Sequence, residues 1–255
     1  MIKVEAVCKA YRKAGAPWSK KKTKITALDD IGFQALDGEI TGLLGANGAG
    51  KSTALRIIAT LLKADSGQVV VDGFKVDEHA QAVRKSIGFM PHNSGVYPRL
   101  TAVENIRYYA DIAAVPRDVV DKHLEQIIKL LDMDDIADRR CAGFSQGQQM
   151  KVALARAIIH KPKTLILDEP TNGLDVMATR SLRAILRRLR DEGHCVLISS
   201  HVMQEVEALC DHVAIINEGK ITVSGSVASI KEQTGQAQLE DAFVVAIGEK
   251  LEVTL

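Results

Sequence analysis

The sequence predicts an α/β fold: a parallel sheet covered on both faces, interrupted by a block of helix that forms a second lobe. Three observations carry this. A glycine-rich stretch, Gly45-Ala46-Asn47-Gly48-Ala49-Gly50-Lys51-Ser52, sits between a strand-like apolar run (Ile40 to Leu44) and a helix-like segment (Thr53 to Leu62). Short β-type runs late in the chain alternate with helical segments, as crossover-connected parallel strands require. Between the two halves, from about Thr101 to His160, the periodicity is helical almost throughout.

Taken in order, β-type runs occur at Ile2–Ala6, Ile25–Leu28, Ile31–Phe33, Ile40–Leu44, Gln68–Val71, Ile87–Phe89, Thr164–Leu167, Val196–Ser199 and Val213–Asn217. Lys20, Lys21, Lys22 and Lys24, after Pro17 and Trp18, read as a solvated hairpin loop, with contact to phosphate or lipid headgroups as the alternative. In the helical block Val120, Leu124, Ile127 and Leu131 recur at helical spacing and form one apolar stripe. Leu182, Ile185, Leu186 and Leu189 do the same between Ala178 and Arg190. No internal repeat or low-complexity segment is found.

Composition excludes several function classes. At 255 residues the chain can bury a full core as one large domain or two lobes. Its 33 basic and 32 acidic residues leave a net charge of +1, without the basic excess of a general nucleic-acid binder, so no nucleic-acid partner is expected. Cys8, Cys141, Cys195 and Cys210 lie far apart with no C-x-x-C pair, which argues against zinc or a disulfide framework and suits a reducing cytoplasm. Met1 to Tyr11 carries Lys3 and Glu5 and has no apolar core, so no signal peptide is expected. No apolar run approaches the roughly 18 residues of a membrane span, so any membrane role must come through a partner.

The glycine-rich stretch fits G-x-x-x-x-G-K-[ST], a phosphate-binding loop. Glycines let the backbone curl so that N–H groups point at phosphate oxygens, and the following helix presents its N-terminus to the same anion. Lys51 would neutralise the β- and γ-phosphates, and the Ser52 hydroxyl would ligate Mg²⁺. The apolar run Thr164–Leu167 ends in Asp168 and Glu169, at the strand end where open α/β sheets bind ligands. Asp168 would hold Mg²⁺, and Glu169 would polarise an attacking water as general base. Another strand, from Val196, ends in His201, placed to contact the γ-phosphate. Phe144-Ser145-Gln146-Gly147-Gln148 leads into a helical stretch, Gln149 to Ile159, and offers a second anion site from orphan N–H groups, a hydroxyl and the helix dipole. Two phosphate sites on separate lobes suggest two chains paired head to tail.

Together these residues closely resemble the ATP-binding subunits of ABC transporters, from Tyr11 to about Ile230. Gly45–Ser52 with the adjoining Thr53 resembles Walker A, Phe144–Gln148 the ABC signature, Leu165–Glu169 Walker B, Leu174-Asp175 the D-loop and His201 the switch histidine. The resemblance implies a P-loop NTPase: a RecA-like core with an antiparallel β-subdomain, and an ABC α-helical subdomain inserted at about 93–160. The ATPase domain would span 1–230, with a short C-terminal element over 231–255. It implies ATP and Mg²⁺ as cofactors, Tyr11 stacking on adenine, and Glu169 and His201 as catalytic residues. Ser145, Gly147, Gln148 and Asp175 would belong to a dimer that sandwiches ATP. The partners implied are a second copy of the chain and an integral-membrane permease, which would hold the subunit at the inner face of the cell membrane.

Two positions depart from the family pattern. Gln146 stands where the signature usually has glycine, and its longer side chain would crowd the partner's ATP. His92 stands where the family has glutamine after Ile87–Pro91, so an imidazole would face the Mg²⁺ and water. Within the family, Tyr97–Ala102, Asp175–Arg180 and Ser200–Val206 resemble NatA-type subunits of sodium exporters and related ABC-2 exporters. The expected function is therefore ATP hydrolysis powering export, with sodium as one candidate cargo. Two alternatives stand beside it. One is a membrane-free ABC ATPase in assembly, repair or translation. The other is a P-loop switch GTPase, which would need an N-K-x-D guanine reader that this chain lacks.

Overall fold

Every residue of the runs Ile40–Leu44, Thr164–Asp168 and Cys195–Ser200 is buried. Strands covered on both faces belong inside a parallel sheet packed between other layers. A computed structural model of the protein, describing residues 1–12 and 24–248, puts them there. In chain order the elements are β1 (Ile2–Arg12), β2 (Lys24–Ala35), β3 (Ile40–Leu44), α1 (Lys51–Ile58), β4 (Ser66–Val71), β5 (Phe74–Lys75), α2 (Ala80–Ser86) and β6 (Ile87–Met90). The helical block follows as α3 (Ala102–Ile112), α4 (Arg117–Leu131) and α5 (Gln146–Ile158). The chain then returns through β7 (Thr164–Asp168), α6 (Val176–Asp191), β8 (Cys195–Ser200), α7 (Met203–Leu209), β9 (His212–Asn217) and β10 (Lys220–Ser226), and closes with α8 (Val227–Thr234) and α9 (Leu239–Ala246).

The larger sheet has the order β10-β9-β3-β8-β7-β6, parallel except for β10. The smaller is antiparallel, β2-β1-β4-β5. Side-chain alternation divides the core between the faces of the larger sheet. Ile40, Leu44, Leu165, Leu167, Val196 and Ile198 face one apolar cluster, shared with α3 to α9. Leu43, Ile166, Leu197, Ala214 and Ile216 face the other, shared with α1 and the antiparallel sheet. The chain thus builds an α/β P-loop NTPase fold with a helical subdomain, as its sequence predicts. Both helical stripes lie inward: Val120, Leu124, Ile127 and Leu131 on α4, and Leu182, Ile185, Leu186 and Leu189 on α6, are all buried.

Several boundaries differ from expectation. Ile25–Leu28 and Ile31–Phe33 belong to one strand, β2, and β1 runs past Ala6 to Arg12. Irregularities hid this continuity: Ala6 and Asp30 have φ of 52° and 57°, and the β1–β2 register shifts between Val4 and Lys9. A bulge breaks period-two alternation, so each strand reads as shorter than it is. The edge strands β5 and β10 lack the apolar run of a central strand and were not anticipated. Helix α5 begins at Gln146, three residues before the expected start, because Ser145 caps it. Helix α8 carries one fully buried apolar residue, Ile230. Lys20, Lys21 and Lys22 lie outside the described residues, while Lys24 opens β2. Among the described residues no helix is long and apolar enough to cross a membrane.

Caps and one buried amide fix the helical block. Thr101 and Glu104 form a reciprocal capping box on α3, and Ser145 and Gln148 form another on α5. Asn105, fully buried, donates to the Tyr97 and Thr101 carbonyls and accepts from Tyr97 N at 2.9 Å. Arg156 lies over the Tyr109 ring at 4.2 Å and donates to Gly95 O at 3.0 Å, tying α5 to the loop that leaves β6.

Candidate functional site

The C-terminal ends of β3, β8 and β7, neighbours in the sheet, converge on one polar cleft. The loop leaving β3 turns directly into α1. Gly50, the residue before the helix, has φ of 113°, and a Cβ there would lie 2.6 Å from Ala27 O, so only glycine fits. Lys51 opens the helix with its side chain buried. Its ammonium donates to Gly45 O at 2.7 Å and Ala46 O at 3.1 Å, and lies 3.1 Å from Glu169 Oε1.

The β7 end supplies two carboxylates with different surroundings. Asp168 is 2% exposed, and its Oδ1 accepts from Ser52 Oγ at 3.2 Å and Ser199 Oγ at 2.7 Å. Glu169 turns out of the strand with φ of 53°, a left-handed conformation costing on the order of 1–3 kcal/mol for a residue with a Cβ. Its N–H donates to Ser199 Oγ at 2.9 Å, and its carbonyl accepts from Asn172 N at 3.2 Å, which holds the turn. One carboxylate oxygen faces Lys51, and the other lies 2.5 Å from His201 Nδ1.

A cavity of about 530 Å³ opens beside these groups, lined by Asn47, Lys51, Ser52, Glu169 and His201 among others. Gly48, Gly50 and Thr53 also border it, as does His92, exposed on the loop after β6. Tyr11, 40% exposed, reaches the site through its hydroxyl, 3.4 Å from Thr53 Oγ1. The structure therefore gathers Asn47, Gly48, Gly50, Lys51, Ser52, Thr53, His92, Glu169 and His201 around one space, with Asp168 and Tyr11 joined to its lining through Ser52 and Thr53. Asn172, Ala27 and Ser199 were not singled out from sequence. A serine inside an apolar strand, two residues before the strand-end histidine, was the available signal for Ser199.

Ser145, Gly147, Gln148 and Asp175 do not line this cavity. Ser145 Oγ accepts from Gln148 N at 3.2 Å, and Gln148 Oε1 accepts from Ser145 N at 3.1 Å. Asp175 caps α6, accepting from Ala178 N at 2.8 Å. Gln146 turns back over its own chain: a Cβ on Gly173 would lie 2.5 Å from Gln146 Oε1. In this rotamer it sits across the loop between β7 and α6.

The donor set fits both a polyphosphate and a divalent cation. Lys51 offers an ammonium beside the loop backbone, and the α1 N-terminus is turned to the same space. Ser52 and Asp168 are hard oxygen ligands brought into contact, and Asp168 is a buried carboxylate bonded there by hydroxyls rather than by a cation, which suits Mg²⁺.

Comparison with known proteins agrees with this geometry. Residues 28–172 match the family described as ABC transporter. The ABC transporter ATP-binding protein NatA of Bacillus subtilis (strain 168) is 38% identical over 88% of this chain and 92% of its own length. A solved ATP-binding subunit of an ABC transporter superposes with a TM-score of 0.81 at 25% identity, covering 96% of this chain and 98% of that one. An ATP-binding cassette solved as a dimer in a post-hydrolysis state with ADP and Pi gives a TM-score of 0.78 at 26% identity, over 89% of this chain and 99% of that one.

Proposed function

The chain belongs to the ABC transporter family of ATP-binding subunits, and on that premise we propose that it is the ATP-hydrolysing motor of an exporter, with sodium as a candidate cargo. As a family member it binds and hydrolyses ATP and works with a membrane partner. Export is supported by the resemblance of Tyr97–Ala102, Asp175–Arg180 and Ser200–Val206 to NatA-type exporter subunits, in a chain 38% identical to a NatA protein over 88% of its length. One observation carries the assignment of roles: Lys51, Ser52, Asp168, Glu169 and His201 meet around a single cleft from three adjacent strand ends.

In this reading the loop N–H groups and Lys51 bind the phosphates, and the loop from Gly45 to Ser52 sets their position. Ser52 and Asp168 would hold Mg²⁺, which would supply positive charge against the phosphates. Glu169 takes a proton from the attacking water on its carboxylate. His201 holds that carboxylate through Nδ1 and, lining the same cavity, would contact the γ-phosphate. Phosphate competes with Glu169 for the Lys51 ammonium, so ATP binding releases the base it needs. Tyr11 packs against the adenine. Ser145, Gly147, Gln148 and Asp175 act on the ATP of a second copy, a reading supported by their absence from the phosphate-loop cavity and by the dimeric relative.

Two substitutions test the roles. Lys51→Ala should weaken ATP binding about 10–100-fold, because charged hydrogen bonds are worth about 1.5–3 kcal/mol each. Glu169→Gln should keep binding but lose about 10²–10⁴-fold in hydrolysis, the usual contribution of a general base. Nucleotide titration and phosphate release measure the two separately, and normal turnover by Glu169→Gln would remove the base assignment. Cargo is read by sodium flux in vesicles holding this chain and its permease.

A further inference from the structure

We propose that the C-terminal helix pair α8–α9 is a positioning element for the catalytic site, acting on His201 and the Glu169 turn through α7. The inference rests on the roles given above to His201 and Glu169.

Helix α7 starts two residues after His201, so its placement sets the direction of the imidazole. On its inner side it is pressed against β3: a Cβ on Gly42 would lie 2.8 Å from Cys210 Sγ and 3.1 Å from Val206 Cγ1. That side has no room to give, so any displacement of α7 must be outward or along its axis. The C-terminal helices brace α7 from the flank, while Gln204, Glu207 and Ala208 on its outward face stay exposed. Leu239, Ala242 and Phe243 of α9 and Ile230 of α8 are buried in the same cluster as Val206 and Leu209 of α7.

Polar ties repeat this arrangement. Gln204 Nε2 donates to Glu240 Oε1 of α9 at 3.4 Å, and Glu207 pairs with Lys231 of α8. On the opposite flank Thr171 donates to Glu205, which binds α7 to the turn that leaves Glu169. Helix α7 therefore holds the base at two points, His201 and Thr171, and is itself held by α8 and α9. None of these ties touches the phosphate loop, and α1 packs in the other apolar cluster. Loosening the C-terminal pair should then disturb the chemical step and leave ATP binding intact.

The experiment is a mutant cycle on the full chain, with phosphate release measured at varied Mg-ATP. Phe243→Ala should lower kcat about tenfold with KM unchanged, short of the ~10²-fold that an ångström of misplacement can cost. Phe243→Leu, which keeps apolar volume, should restore most of it. In a background carrying both His201→Ala and Thr171→Val, Phe243→Ala should cost much less than in the wild type, since both points through which α7 acts are gone. Equal fold losses in both backgrounds would overturn the positioning role while leaving the roles of His201 and Glu169 standing. A fully active His201→Ala would instead sink the histidine assignment, and this inference with it. Circular dichroism checks folding. If Phe243→Ala does not fold, Lys231→Met decides: a lower kcat at unchanged thermal midpoint supports the proposal, and an unchanged kcat overturns it.

Discussion

Ser199 does two jobs from one hydroxyl. It donates to Asp168 Oδ1 at 2.7 Å and accepts from Glu169 N at 2.9 Å, and it is fully buried. Its donor steadies a buried carboxylate; its acceptor satisfies the N–H of a residue held at φ 53°. Removing the hydroxyl leaves a buried donor without a partner, which costs about 1–3 kcal/mol. Ser199→Ala should therefore lower the thermal midpoint and reduce kcat together, because the Glu169 turn loses a tether. Calorimetry and steady-state hydrolysis check the pair, and a variant with wild-type kcat would show that Ser199 only fills the core. The Glu169 side chain is held as well as its backbone: Lys51 and His201 each take one of its oxygens.

At the scale of elements, the join between helical block and sheet depends on the end of α5. His160, two residues beyond that helix, lies with Nε2 2.9 Å from Ile87 O at the start of β6. As a neutral ring it donates Nε2–H to that carbonyl. Burial pushes its pKa below the ordinary 6.5, against a smaller opposing effect of the hydrogen bond. The unfolded chain therefore binds a proton more readily than the folded one in the window just below pH 6.5. Stability from this group is intact above that pH and declines as pH falls toward the folded value. His160→Gln keeps a donor for Ile87 O and has no proton to gain. Thermal midpoints at pH 7.5 and 5.5 should fall further in the wild type than in the variant, and equal falls would show that the histidine does not titrate with unfolding. The cap on α5 matters in the same way: Ser145 and Gln148 satisfy the helix start and leave Gly147 against the first turn of α6, where its Cβ would lie 3.0 Å from Ala178 Cβ.

In the proposed two-chain sandwich the whole molecule would present half of two sites. The phosphate loop lines one cavity, and the Ser145 turn lies elsewhere, beside a first turn of α6 that exposes Val176 by 82% and Met177 by 71%. Large apolar side chains left this open, next to a helix N-terminus, fit a surface that a second copy covers. In a two-chain sandwich, Lys51→Ala and Ser145→Ala chains mixed together should form one doubly damaged site and one intact site. Hydrolysis by the mixture should exceed that of either variant alone. Additive, unrescued activity at high protein concentration would argue that each chain works with its own Ser145.

The sequence by itself determined the phosphate loop, the carboxylate pair, the strand-end histidine and both helical stripes. Each is a local pattern: glycine and lysine spacing, an apolar run closed by charges, or a period of three to four. The tertiary structure decided what depends on partners distant in the chain. The β1–β2 bulges, Gln146 folded over Gly173, the Ser199 link between two carboxylate residues and the burial of α9 on α7 all join segments that local periodicity cannot relate. Edge strands and capped helix starts escaped for a similar reason: hydrogen bonds to neighbours, rather than apolar patterning, hold them in place.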